Sequence, residues 1–208
     1  LKGLTERIGQ VHNELKYSLS AVSQIDSIFA RAKYSIEIIG SHPSFDESKP
    51  FWMMDARHPL LIKRIGHSNT VPMNLKMENE TIVLITGPNA GGKTVTLKTT
   101  GLLICLALAG IPIPAHPDSN FIFFDKVLVD IGDAQSIEDD LSTFSSHLKN
   151  IKEIIEEADE KTLVVLDEIG TGTDPEEGAA IATGVLITLR DKGAKVLATT
   201  HHGSLKVI

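Results

Sequence analysis

Gly87-Pro88-Asn89-Ala90-Gly91-Gly92-Lys93-Thr94 fits the pattern glycine, any four residues, glycine, lysine, then serine or threonine. The pattern has a physical purpose. Glycines let consecutive backbone N–H groups turn inward around an anion, and a helix starting immediately afterwards offers its positive end to the same charge. Lys93 is then placed to reach the β- and γ-phosphates of a nucleoside triphosphate, and the Thr94 hydroxyl to ligate Mg²⁺. The apolar run Thr81 to Thr86 stands directly before the loop, and Val95 to Leu108 continues from it as a buried helix. Residues Gly87 to Val95 are therefore the expected phosphate-binding set. The chain has no Asn-Lys-x-Asp run of the kind that reads guanine, which favours ATP.

The other half of such a site needs carboxylates at the end of a neighbouring strand. Leu163-Val164-Val165-Leu166-Asp167-Glu168 supplies two, Asp167 to hold the magnesium shell and Glu168 to orient or deprotonate the attacking water. Charge that develops on the γ-oxygens must also be met, yet Arg7, Arg31, Arg57, Arg64 and Arg190 are the only arginines. None lies between the loop and Arg190, so the arginine-bearing lid of small-molecule kinases is missing.

A helix N-terminus is the alternative source of positive potential. Ser142 and Thr143 precede the stripe Phe144, Leu148, Ile151, Ile154, Ile155 and Ala158, and a hydroxyl residue is the expected N-cap there. The same hydroxyls fit either a structural cap or a contact to the γ-phosphate bound by a second copy. Beyond Glu168, the turn Gly170 to Pro175 leads to a helix through Ala179 to Leu189 that Asp174 or Thr173 would cap. Thr199-Thr200-His201-His202 ends another strand, which puts a histidine where a nucleotide could be sensed. Adjacent histidines diverge on helix or strand, so no metal site is expected from them.

The elements that must position these residues follow from periodicity. Short apolar runs at Thr81–Thr86, Phe121–Phe124, Val127–Ile131, Thr162–Leu166 and Lys195–Thr199 alternate with helical patterns, the signature of an α/β fold with a mainly parallel sheet. Ahead of them Leu4, Ile8, Val11, Leu15, Leu19, Val22, Ile25, Ile28 and Ala32 recur at steps of three or four, interrupted only by Gly9. So long a helix is expected to act as a lever or coiled-coil partner. The Ser, His, Pro and Asp of Gly40 to Pro50 mark a linker. The expected organisation is thus a lever or clamp-end helix over 1–39, a linker over 40–50 and a P-loop ATPase domain over 51–208, cut from a longer protein.

Composition narrows the partners. Across 208 residues, 20 Lys+Arg against 27 Asp+Glu leave a net charge of −7, which disfavours broad binding of a phosphate backbone by this surface. If nucleic acid is a partner, other segments hold it. The apolar run Gly101 to Ile113 is too short to span a bilayer, so no membrane is expected. A lone Cys105 forms no internal disulfide, and with no signal peptide at the start the expected compartment is cytoplasmic.

Taken in order, these residues resemble the MutS family of ABC-type ATPases. The resemblance is carried by Gly87-Pro88-Asn89, Ser142-Thr143-Phe144, Asp167-Glu168-Ile169-Gly170 with its Gly-Thr turn, Thr200-His201, and Ala56-Arg57-His58-Pro59 upstream. It covers about residues 50 to 205, and the amino-terminal helix resembles the end of the family's lever. Mismatch-recognising members have an arginine before the valine and glycine that follow the middle strand, whereas Asp130 precedes Ile131-Gly132 here. That departure, with Ser-Thr-Phe-Ser-Ser-His and Asp174-Pro175-Glu176, is similar to the second bacterial MutS branch, which suppresses recombination and lacks the mismatch-reading domain.

The resemblance implies an ATP-hydrolysing homodimer that clamps branched or recombining DNA through surfaces largely outside this chain, with a nuclease domain beyond it and links to ribosomes. By the same resemblance Gly87 to Thr94 bind phosphates, Asp167 and Glu168 serve Mg²⁺ and water, His201 senses the γ-phosphate, and Ser142 with Thr143 completes the partner's site. A nucleotide-gated dimerisation module with little turnover is the competing reading. A transporter ATPase would carry Leu-Ser-Gly-Gly-Gln, which is absent.

Overall fold

A computed structural model describes residues 2–87, 91–132 and 140–201, the side chains of 140–145 excepted. The chain opens with helices α1 (Lys2–Gln10) and α2 (His12–Ile38), joined at Val11. The expected stripe is thus helical, with a break two residues after Gly9. Its apolar residues Leu15, Leu19, Val22, Ile25 and Ile28 are exposed, and of the whole pair only Ile38 is buried. Two-residue strand β1 (Ser44–Phe45) follows, then β2 (Phe51–Ala56), α3 (Pro59–Ile65) and β3 (Met73–Met77).

From there strands and helices alternate: β4 (Ile82–Thr86), α4 (Lys93–Leu108), β5 (Asn120–Phe121), β6 (Lys126–Asp130), α5 (Asp140–Glu157), β7 (Thr162–Leu166), α6 (Pro175–Asp191) and β8 (Lys195–Thr200). A four-stranded sheet runs in the order β4-β8-β7-β6 with every neighbouring pair parallel. Because side chains alternate across a strand, each strand feeds two cores. Leu163, Val165 and Leu197 join Leu97, Leu103 and Ile104 of α4 on one face. Val164, Leu166, Val196 and Ala198 join Ile151 and Ile154 of α5 and Ala182, Leu186 and Leu189 of α6 on the other. All five residues of β7 are buried, as its unbroken apolar run requires.

A second sheet, ordered β1-β5-β2-β3, corrects part of the expectation. Of the Phe121–Phe124 run only Phe121 forms strand, together with Asn120 before it, and they lie in this sheet rather than the parallel one. Packing explains the choice. Phe121 meets Phe51 at 5.1 Å and Phe45 at 6.1 Å between ring centroids, an aromatic cluster that belongs to the second sheet. The Asn120 side chain also accepts from Ser44 Oγ at 2.8 Å and donates to the carbonyls of Asp46 and Pro50, each at 3.0 Å, folding 44–50 onto β5. The antiparallel pair β2 and β3 had no sequence signal strong enough to predict it.

Helix ends follow local chemistry. Asp174 caps α6, its carboxylate accepting from Glu176 N–H at 2.9 Å, with Pro175 at the first helical position. Replacing Asp174 by Ala is expected to cost about 1 kcal/mol of stability, read from chemical denaturation. A loss indistinguishable from zero would show that Thr173 or water substitutes for the carboxylate.

Candidate functional site

Parallel register brings the strand ends together. Thr86 pairs with Thr200 and Leu166 with Ala198, so Gly87, the Asp167-Glu168 pair and His201 emerge from one edge of the sheet. This is the end at which open parallel sheets bind ligands. Gly92 caps α4 at φ 77°, a left-handed conformation suited to glycine, and Lys93 begins the helix. The Lys93 ammonium is buried, and its Nζ donates to the Gly87 carbonyl at 2.6 Å, tying the two ends of the turn together. Thr94 and Val95 follow in the first turn, Val95 exposed. Pro88, Asn89 and Ala90 lie outside the described residues.

Opposite them, one hydroxyl organises both acids. Thr199, fully buried in β8, donates Oγ1–H to Asp167 Oδ1 at 2.5 Å and accepts from the Glu168 N–H at 2.7 Å. Glu168 itself sits at φ 50°, a left-handed backbone that costs a non-glycine residue about 1–2 kcal/mol. Bonds around it hold the conformation: Ile169 N–H donates to the Thr199 carbonyl at 3.0 Å, and Thr171 Oγ1 donates to the Glu168 carbonyl at 2.8 Å. The strained turn swings the Glu168 side chain toward His201, whose Nε2 lies 3.2 Å from Oε1. Since a carboxylate only accepts, the imidazole N–H donates in that pair. His202 lies outside the described residues.

Other residues of interest take different places. Helix α5 is described from Asp140, two residues before Ser142, so Ser142 and Thr143 lie within the helix rather than at its cap. Their side chains lie outside the described residues. In the Arg57-His58-Pro59 segment, Arg57 Nε donates to the Thr70 carbonyl at 3.1 Å. His58 Nδ1 is buried with no hydrogen-bond partner among the described residues. Burial first, and Lys98 of α4 second, hold this imidazole below its ordinary pKa, which favours the neutral ring.

Thr199 is the residue that the sequence pattern missed as a functional candidate. Its only signal was a threonine pair ending an apolar strand, and a buried hydroxyl bridging two acids is visible only once β7 and β8 are paired.

Residues 83–208 match the family described as MutS domain V, more than half of the chain. The chain belongs to the MutS family. Within the MutS family its relatives are MutS2 proteins. It is 47% identical over 208 residues to "Endonuclease MutS2" of Caldicellulosiruptor saccharolyticus, covering 100% of this chain and 26% of that protein. Against "Endonuclease MutS2" of Clostridium acetobutylicum the identity is 50% over 193 residues, covering 92% and 24%. For the protein of the same description from Clostridium botulinum strain Loch Maree it is 47% over 204 residues, covering 98% and 25%. The chain therefore spans about a quarter of the length of these curated relatives.

Proposed function

We propose that this chain binds ATP with Mg²⁺ and hydrolyses it, as the P-loop ATPase domain of a MutS-type protein. The observation that carries the reading is the Glu168 turn, in which a strained backbone spends stability to hold a carboxylate beside His201 at the sheet edge shared with Gly87 and Lys93. Backbone strain kept in place by surrounding bonds clusters at functional sites.

In this reading the Gly87–Thr94 loop wraps the phosphates and Lys93 neutralises the β- and γ-oxygens. The donor set suits Mg²⁺, which takes one or two protein oxygens and completes its shell with phosphate and water. Thr94 and Asp167 would hold the ion, Asp167 being buried and oriented by Thr199; the metal would supply charge neutralisation at the phosphates. Glu168 orients the attacking water and accepts its proton, while His201 fixes the carboxylate and faces the γ-phosphate. Ser142 and Thr143 at the start of α5 would meet the nucleotide of a second copy.

For the whole protein we propose a homodimer on branched or recombining DNA, with the DNA held outside this acidic chain, and action in the cytoplasm. The names of the relatives support a nucleic-acid role, and the net charge of −7 supports placing that contact elsewhere. No helix among the described residues is long and apolar enough to cross a membrane.

Calorimetry tests the reading at its base. Titration with ATP and Mg²⁺ is expected to give saturable heat, and Lys93→Ala to weaken the affinity at least about tenfold, or about 1.4 kcal/mol. Absence of heat from every nucleoside triphosphate at millimolar concentration would remove it.

A further inference from the structure

Asp130 ends β6 with a carboxylate that the hydrolytic reading leaves without a role. It is buried, and among the described residues α5 supplies its side-chain partners. His147 lies 2.9 Å away through Nδ1, and Asn150 Nδ2 donates to the other carboxylate oxygen at 2.7 Å and to the Val129 carbonyl at 3.2 Å. His147 and Asn150 are three apart and so share one face of the helix. Because a carboxylate oxygen only accepts, Nδ1 carries the proton, which fixes the ring's tautomer and orientation. The far edge of the ring lies against Gly132, where an added Cβ would come within 2.6 Å of Cε1 and 2.7 Å of Nε2.

The backbone of the same residue faces the acid pair. The Asp130 carbonyl accepts the Asp167 N–H at 2.8 Å, one residue from Glu168. Asp130 therefore joins the end of β7 to α5 through a single residue, with two hydrogen bonds on its carboxylate and one on its carbonyl. Ser142, near the start of α5 as described, stands five positions before His147, about 7.5 Å along a helix axis. Among the described side chains, Ile151 and Ile154 pack the later part of α5 into the core. The bonds of His147 and Asn150 to Asp130 attach the middle of the helix to the end of β6.

We propose that Asp130 is a positioning residue that, with His147 and Asn150, fixes α5 to the strand ending in Asp167, so that the helix's opening turn keeps a defined place relative to the acid pair during turnover. The inference rests on the hydrolytic reading above. It assigns no contact between Asp130 and nucleotide.

The test measures steady-state ATP hydrolysis and nucleotide affinity in the protein at its full natural length. Asp130→Ala and His147→Ala are each expected to lower kcat about tenfold or more, through misplacement of catalytic groups, with KM and Kd for ATP held within about twofold. The double variant should be no worse than about twofold below either single, because the residues act as one unit. His147→Asn, which keeps an N–H near the Nδ1 position, is expected to restore kcat to within about twofold of the parent and a parental melting temperature. Parental kcat in His147→Ala overturns the proposal, as does a joint loss of affinity and kcat that His147→Asn fails to rescue. The two readings fail separately: a parent whose turnover is insensitive to Lys93→Ala sinks the ATPase assignment, whereas a sensitive parent with an active His147→Ala sinks only the positioning role.

Discussion

Glu168→Gln is expected to lower ATP turnover by roughly 10²–10⁴-fold, the usual contribution of a positioned proton acceptor. The substitution keeps the side chain's volume and one carbonyl oxygen, so the contact with His201, now 3.2 Å from Oε1, can survive. It also leaves Lys93, Gly92 and the start of α4 untouched, so ATP affinity should hold within about threefold, under 1 kcal/mol. Removing the proton acceptor while keeping the binding surface separates chemistry from binding. Single-turnover and binding measurements on the same preparation decide the matter. Turnover within about threefold of the parent would deny Glu168 its role and favour a gate in which nucleotide closes a dimer and hydrolysis resets it slowly.

Gly170→Ala is the second large effect, and it is first one of stability. Gly170 has φ 85°, and a Cβ there would lie 2.5 Å from the carbonyl oxygen and 2.9 Å from the carbonyl carbon of Gly178 in α6. Both are backbone atoms, so no side chain can swing away. The left-handed conformation costs about 1–2 kcal/mol for alanine and overpacking about 1–3 kcal/mol, so the expected loss is about 2–5 kcal/mol. In a domain of this size that lowers the melting temperature by roughly 10 °C. Turnover should fall as well, since relief of the clash pushes α6 away from the turn that holds Glu168. A melting temperature within about 1 °C of the parent would mean that α6 yields freely and that the close approach is incidental.

How legible this was in the sequence depended on the range of each interaction. That Gly87, the acid pair and His201 would follow strands was readable because each directly succeeds an apolar run, and the parallel register places them at one end of the sheet. Asp174 was readable as a cap because capping is local. What escaped depended on pairing between distant residues. Phe121–Phe124 has a good strand composition, but whether it joins one sheet or the other was settled by Phe45 and Phe51, some seventy residues earlier. Thr199 looked like any strand-ending threonine until Asp167 was set beside it, 32 positions away in the chain. Ser142 and Thr143 are not the cap of α5, since Asp140 and Leu141 before them are already helical. Glu168's left-handed φ has no signal at all, since glycine or asparagine would ordinarily announce it.

The strand order carries a consequence for assembly of the molecule on the ribosome. β8, the last described strand to be synthesised, lies between β4 and β7, so Ile82 pairs with Val196 rather than with anything made earlier. Until residues 195–200 leave the exit tunnel, β4 has no neighbour in its sheet and its apolar edge stays open. Such long-range closure is slow and leaves the nascent chain prone to association. The end of the sheet that carries Gly87, Asp167, Glu168 and His201 is therefore among the last parts of the fold to mature, and a chain interrupted before Lys195 would leave β4 without a strand partner.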